Sequence, residues 1–247
     1  MGFFGYNGPM FHVLFAVAGL LLGGVINWLA DYLPAWRQEE AAPKPFPRRG
    51  LDFLALFRAL RRQADVPRRH LAVEVGTMLL FALLPALIQE RAVLLVHALY
   101  IAVLILVIVI DIEHHLVLHV VTFPTTAVAL LLSFFLPDTG WKLALVGAVV
   151  GFLLFYLFFW VGKLLFGEGA LGFGDVTLAM TIGAMLGFHR VVFALILAVF
   201  LGGVFSLLLL LLRVRGRKSY VAYGPYLALA AIFMLIWGTQ VYQSYVG

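Results

Sequence analysis

Ile101-Ala102-Val103-Leu104-Ile105-Leu106-Val107-Ile108-Val109-Ile110-Asp111 is an unbroken apolar run closed by a carboxylate. The run is the end of a longer apolar segment, about 92–110, near the ~20 residues that cross a bilayer as a helix. A second carboxylate has a similar setting. Asp175 closes Gly172-Phe173-Gly174-Asp175 and is followed at once by another apolar run. A carboxylate at bilayer depth costs about 2.5–3.5 kcal/mol on insertion scales, so two of them at apolar boundaries point to function or to buried partners.

Working outward, segments of the same kind recur. The expected spans are about 10–30, 71–88, 92–110, 118–136, 141–162, 175–187, 190–212 and 221–243, separated by short polar breaks such as Gln89-Glu90-Arg91 and Pro137-Asp138-Thr139-Gly140. The sixth is short for a full span, so it is tilted or extends into the preceding loop. The expected fold is all-α, a polytopic transmembrane bundle of about eight spans, forming a single domain over 1–247. With 64% hydrophobic residues, 12% charged residues and a mean hydropathy of +1.07, a water-soluble domain is excluded. The chain has no cysteine, which removes disulfides and thiolate metal or nucleophile sites. No basic region precedes the first apolar run, so that run is expected to be a retained span.

The formal charge of +5 does not indicate nucleic acid, because its distribution follows membrane topology. Fourteen of the 17 Lys and Arg fall in one set of alternate loops, nine of them in 31–70 and four in 213–220. Positive charge marks the cytoplasmic side. The long loop 31–70 between the first two spans is therefore expected in the cytoplasm, with both termini outside. Within it, Leu51 to Gln63 has apolar residues at helical spacing beside Arg58, Arg61 and Arg62, the pattern of a helix lying along lipid headgroups. Asp111 and Asp175 then share the cytoplasmic face.

Paired carboxylates hydrolyse an amide when one is ionised and takes a proton from water while the other, protonated, polarises the scissile carbonyl. Asp111 is expected just beyond a helix C-terminus, where the dipole disfavours charge, and Asp175 in a first turn, where orphan N–H groups favour it. That assigns Asp175 as base and Asp111 as proton donor, although the pair titrates as a unit. Gly172 and Gly174 permit unusual backbone angles and close approach by an extended substrate. Two other readings stay open. The aspartates suit a small ion- or proton-coupled transporter or channel, and His115 with His119, four apart, suits a membrane metalloprotease if both share a helical face and ligate a metal. No His-Glu-x-x-His occurs. Glu74 is expected to pair with an arginine, and Asn27 to bond a neighbouring helix.

Five blocks, in order and spacing, resemble the type IV prepilin peptidases, membrane aspartic proteases of the Gly-x-Gly-Asp group. They are Val25–Pro34, Arg69–Glu74, Asp111–Pro124, Leu171–Val176 and Tyr223-Gly224-Pro225-Tyr226-Leu227-Ala228. The resemblance covers most of the chain. It implies catalysis by Asp111 and Asp175 and removal of a short basic leader from prepilins or pseudopilins, after a glycine, at the cytoplasmic face of the bacterial inner membrane. It also implies that members often methylate the new N-terminus with S-adenosylmethionine. Three departures stand out. The cysteine zinc module common in the first loop is missing, so no zinc is expected; Leu118-His119 replaces a common Pro-Asp; and Thr177 replaces a common lysine.

Overall fold

A computed structural model of the chain describes residues 8–38, 53–61, 66–167, 171–212 and 223–246. Among the described residues all regular structure is helical: α1 Pro9–Gln38, α2 Ala55–Leu60, α3 Arg68–Leu87, α4 Arg91–His114, α5 His119–Leu132 with a 3-10 turn Ser133–Phe135, α6 Gly140–Phe166, α7 Phe173–Leu186, α8 Phe188–Leu211 and α9 Gly224–Val246. Six of these helices are long and apolar enough to cross a membrane, and His119–Phe135 and Phe173–Leu186 are shorter apolar helices. Together they are the eight apolar segments read from the sequence. α6 and α8 expose Leu153, Leu157, Leu164, Phe200 and Leu207, side chains suited to lipid.

The chain packs as two units, 1–109 and 110–247. In the first, α1 lies directly on α3. A Cβ on Gly19 would come 2.7 Å from Thr77 O, and one on Gly23 would come 2.7 Å from Glu74 Cα. The four-residue glycine spacing lets the two backbones touch, the usual basis of helix association in lipid. Charge does not end α1 at residue 30, where the sequence placed its boundary. Asp31 is held by Arg69 at 2.6 Å, and the helix continues through Pro34 to Gln38. Asn27 donates to His70 O on α3, as expected.

Glu74 departs from expectation. It is fully buried and accepts the N–H groups of Ala55 (2.6 Å) and Leu56 (2.8 Å), the orphan donors at the start of α2. Of the amphipathic stretch expected over 51–63, only residues 53–61 are described, and they include this short helix; 51, 52, 62 and 63 lie outside the described residues.

In the second unit, α7 is enclosed by α5, α6, α8 and α9. Every residue from Asp175 to Leu186 except Met180 is buried. Its closest neighbour is α6: a Cβ on Gly147 would strike Gly183 O, one on Gly183 would strike Gly147 O, and one on Gly151 would strike Ala179 O. At about 1.5 Å per residue, the 14 residues of α7 reach ~21 Å, short of the ~30 Å hydrocarbon core. A helix packed among the longer α6, α8 and α9 need not reach both surfaces itself.

Candidate active site

α4 does not stop at Ile110. It runs to His114, and His115 N bonds Asp111 O at 2.9 Å to close the last turn, with His115 itself in the left-handed region at φ 51°. The polar residues Asp111, Glu113 and His114 mark the end of the apolar run and not the end of the hydrogen-bond ladder. Asp111 is thus inside the final turn, 3% exposed.

Asp175 is the third residue of α7, behind an extended Gly172 (φ −77°, ψ 142°) that caps it. Its carboxylate accepts the backbone N–H of Gly172, and its own N–H bonds Gly172 O at 3.1 Å. This is the reach-back half of a capping box, in which a third-position carboxylate satisfies the cap N–H. Asp175 is 8% exposed. The two carboxylates lie within electrostatic reach of each other, and Asp175 likewise of the Tyr223 hydroxyl. The structure therefore brings both sequence-selected aspartates into one site within the second unit.

Gly174 is there because nothing larger fits: a Cβ would lie 2.7 Å from Val117 Cβ and 2.9 Å from Val117 O. The third wall is the start of α9. The Gly224 N–H bonds the Asp111 carboxylate, and a Cβ on Gly224 would come 2.5 Å from Asp111 Oδ2 and 3.2 Å from Val117 Cγ2. Among the described residues Asp111 Oδ2 itself has no hydrogen-bond partner. The sequence reading used Tyr223-Gly224-Pro225 only as a point of resemblance and missed this contact. The available signal was a glycine followed by proline at the start of an apolar run, which places an orphan N–H at a helix N-terminus.

The N-terminus of α9 also weakens the dipole argument for Asp111, because the carboxylate faces the positive end of a second helix as well as the negative end of its own. His115 and His119 do not share a helical face: the chain leaves α4 at His115, and His119 opens α5. His115 is exposed and interacts electrostatically with Asp111, whereas His119 Nδ1 lies 3.2 Å from Thr177 Oγ1. The one-face geometry that a His115–His119 metal site requires is not formed.

A model of the type IV leader peptidase family matches residues 98–207, a segment containing both aspartates and the glycines before Asp175. Over that segment the chain is similar to the type IV leader peptidase family. It is 31% identical over 231 residues to the prepilin leader peptidase/N-methyltransferase of Myxococcus xanthus, covering 84% of this chain and 65% of that protein. Against the Aeromonas hydrophila protein of the same name, identity is 30% over 183 residues, 74% of this chain and 63% of the relative. Against that of Aeromonas salmonicida it is 35% over 102 residues, 41% and 35%. The chain thus spans from about one third to just under two thirds of these curated relatives. No solved structure matches the chain. Two of the departures from the leader peptidase pattern, at 119 and 177, meet each other in space.

Proposed function

We propose that the protein is an aspartic endopeptidase that removes the short basic leader from type IV prepilins or pseudopilins at the cytoplasmic face of the bacterial inner membrane. The observation that carries this reading is the juxtaposition of two buried carboxylates, Asp175 in the first turn of α7 and Asp111 in the last turn of α4 against the start of α9, in a multi-helix membrane protein similar to the leader peptidase family. Asp175, its carboxylate already bonded by Gly172 N–H, is the base that takes a proton from the attacking water. Asp111 is the acid. Its Oδ2 lacks a partner among the described residues, and a buried oxygen without one costs more as an anion than as a hydroxyl, which can donate to a substrate carbonyl. Water adds to the carbonyl carbon, the carbonyl oxygen receives the Asp111 proton, and collapse of the tetrahedral species returns a proton to the leaving amine. Gly172 keeps a side chain away from an extended substrate beside the Asp175 carboxylate, while Gly174 supports the site by letting Val117 pack against the first turn of α7.

A cytoplasmic dyad, on the side where a basic leader stays during insertion, is supported by the 14 of 17 basic residues that fall in one set of alternate loops. Proteolysis of this kind needs no cofactor and no zinc. No methyl-transfer step is assigned to this chain. The test is to incubate the purified protein with a prepilin and sequence the product. A new N-terminus immediately after the leader's last glycine supports the reading, and an uncut substrate or a cut elsewhere overturns it.

A further inference from the structure

His119 and Thr177 are 58 residues apart in sequence and meet where α5 and α7 begin. Thr177 Oγ1 has three neighbours: His119 Nδ1 at 3.2 Å, Thr122 Oγ1 at 3.2 Å and Gly174 O at 2.9 Å. A threonine hydroxyl has one proton to give. Gly174 O can only accept, so that proton goes to the carbonyl. Thr177 then accepts from both Thr122 and His119, which requires the proton of the imidazole to sit on Nδ1. The ring is also held by Phe173 edge-on at 5.9 Å between centroids and by Phe123 at 5.5 Å. Deeper in the bundle, Thr126 and Thr181 lie 2.8 Å apart and Thr181 also approaches Thr122 O at 3.2 Å. The imidazole thus grips two members of Gly172-Phe173-Gly174-Asp175: Phe173 by its ring and Gly174 through Thr177.

We propose that His119 is a positioning residue for the dyad: its Nδ1–H, relayed through Thr177 Oγ1 to the Gly174 carbonyl, fixes the first turn of α7 and with it the Asp175 carboxylate. The proposal rests on the reading of Asp175 as the catalytic base. His119 does not touch the reacting atoms in this role. A loosened first turn misplaces the base without removing it, so the effect falls on kcat. Simple helix adhesion is served by Thr122, Thr126 and Thr181 and does not require a proton on Nδ1.

The experiment measures prepilin cleavage in proteoliposomes for His119→Ala, His119→Asn, His119→Gln, Thr177→Val, Thr177→Ser and the double variant His119→Ala/Thr177→Val. An asparagine amide places N–H where Nδ1–H stood, whereas glutamine reaches the Nε2 position. Expected are kcat losses of about 10- to 100-fold for His119→Ala and Thr177→Val, with KM within about twofold. Asn and Ser restore kcat to within about threefold, Gln does not, and the double variant is no worse than the poorer single one, since both break one relay. His119→Ala with wild-type kcat, Asn and Gln acting alike, or losses that multiply in the double variant overturn the proposal. Thermal unfolding is recorded for each variant, and should His119→Ala not fold, the Asn–Gln comparison decides alone. Asp175→Asn is run alongside. If it cleaves, the catalytic reading fails; if it is dead while His119→Ala is fully active, only the positioning role fails.

Discussion

Gly224→Ala adds one methyl group at the point where α9 meets the dyad. Its Cβ would sit 2.5 Å from Asp111 Oδ2, 3.1 Å from Asp111 Cγ and 3.2 Å from Val117 Cγ2. Ordinary contact begins near ~3.5 Å, so the carboxyl group has to retreat by about 1 Å. It has little room, being 3% exposed, with Val117 buried alongside. A 1 Å misplacement of a reacting group costs about 100-fold, or ~2.7 kcal/mol of barrier. Gly224 is the first residue of α9, where interior helix propensity does not apply, and overpacking typically costs about 1–3 kcal/mol, so stability is measured beside activity. The assay is prepilin cleavage in proteoliposomes across substrate concentration, with Gly203→Ala as control, since a Cβ on Gly203 meets nothing within 4 Å. The expected result is a kcat near 1% of wild type for Gly224→Ala, with the variant still folded at the assay temperature and full activity for the control. Gly224→Ala cleaving within threefold of wild type would refute the placement of Gly224 against the acid.

Three further outcomes follow from the same geometry. Glu74→Gln removes the anionic acceptor of two backbone N–H bonds to α2, each worth about 1.5–3 kcal/mol when charged, so amide exchange at Ala55 and Leu56 should accelerate at least about tenfold. Unchanged protection by exchange mass spectrometry would show that Glu74 does not hold α2. Gly183→Val drives a side chain into the α6 backbone at Gly147 and should lower stability by at least about 1–3 kcal/mol, read as a reduced unfolding temperature in detergent. For topology, a cysteine at Gln38 should react with an impermeant reagent only in inverted vesicles and one at Gln89 only from the outer side; no native cysteine interferes, and the reverse pattern inverts the membrane orientation.

The spans were legible because hydrocarbon demands long apolar runs, and each run became a helix close to where it was read. The discrepancies share one cause. Charge marks where a chain leaves an apolar slab, but a helix ends only where its hydrogen bonds do. α1 therefore passes Asp31 and Pro34, and α4 passes Asp111. Asp111 and Asp175 were legible as candidates because a carboxylate is costly in their settings. Gly224 was not, since its consequence lies in a carboxyl group 113 residues earlier in the chain. Glu74 was misjudged for a related reason: nearby arginines are visible in sequence, whereas the unpaired N–H groups of a six-residue helix are not. His119 and Thr177 looked like independent departures, and only packing of α5 on α7 shows that they form one contact.

The central claim is that Asp111 and Asp175 act together as the proteolytic pair. It is tested most directly by single-turnover cleavage of a prepilin with Asp111→Asn, Asp175→Asn and the double variant, all reconstituted in lipid, with product N-termini sequenced. An amide supplies neither the negative charge of the base nor the proton of the acid. Each single variant should lose about 10²–10⁴-fold in rate, and the double variant should be no slower than the worse single one, because the pair acts as a unit. Insertion and unfolding temperature should stay at wild-type values. Authentic cleavage by either single variant at a near-wild-type rate would contradict the account.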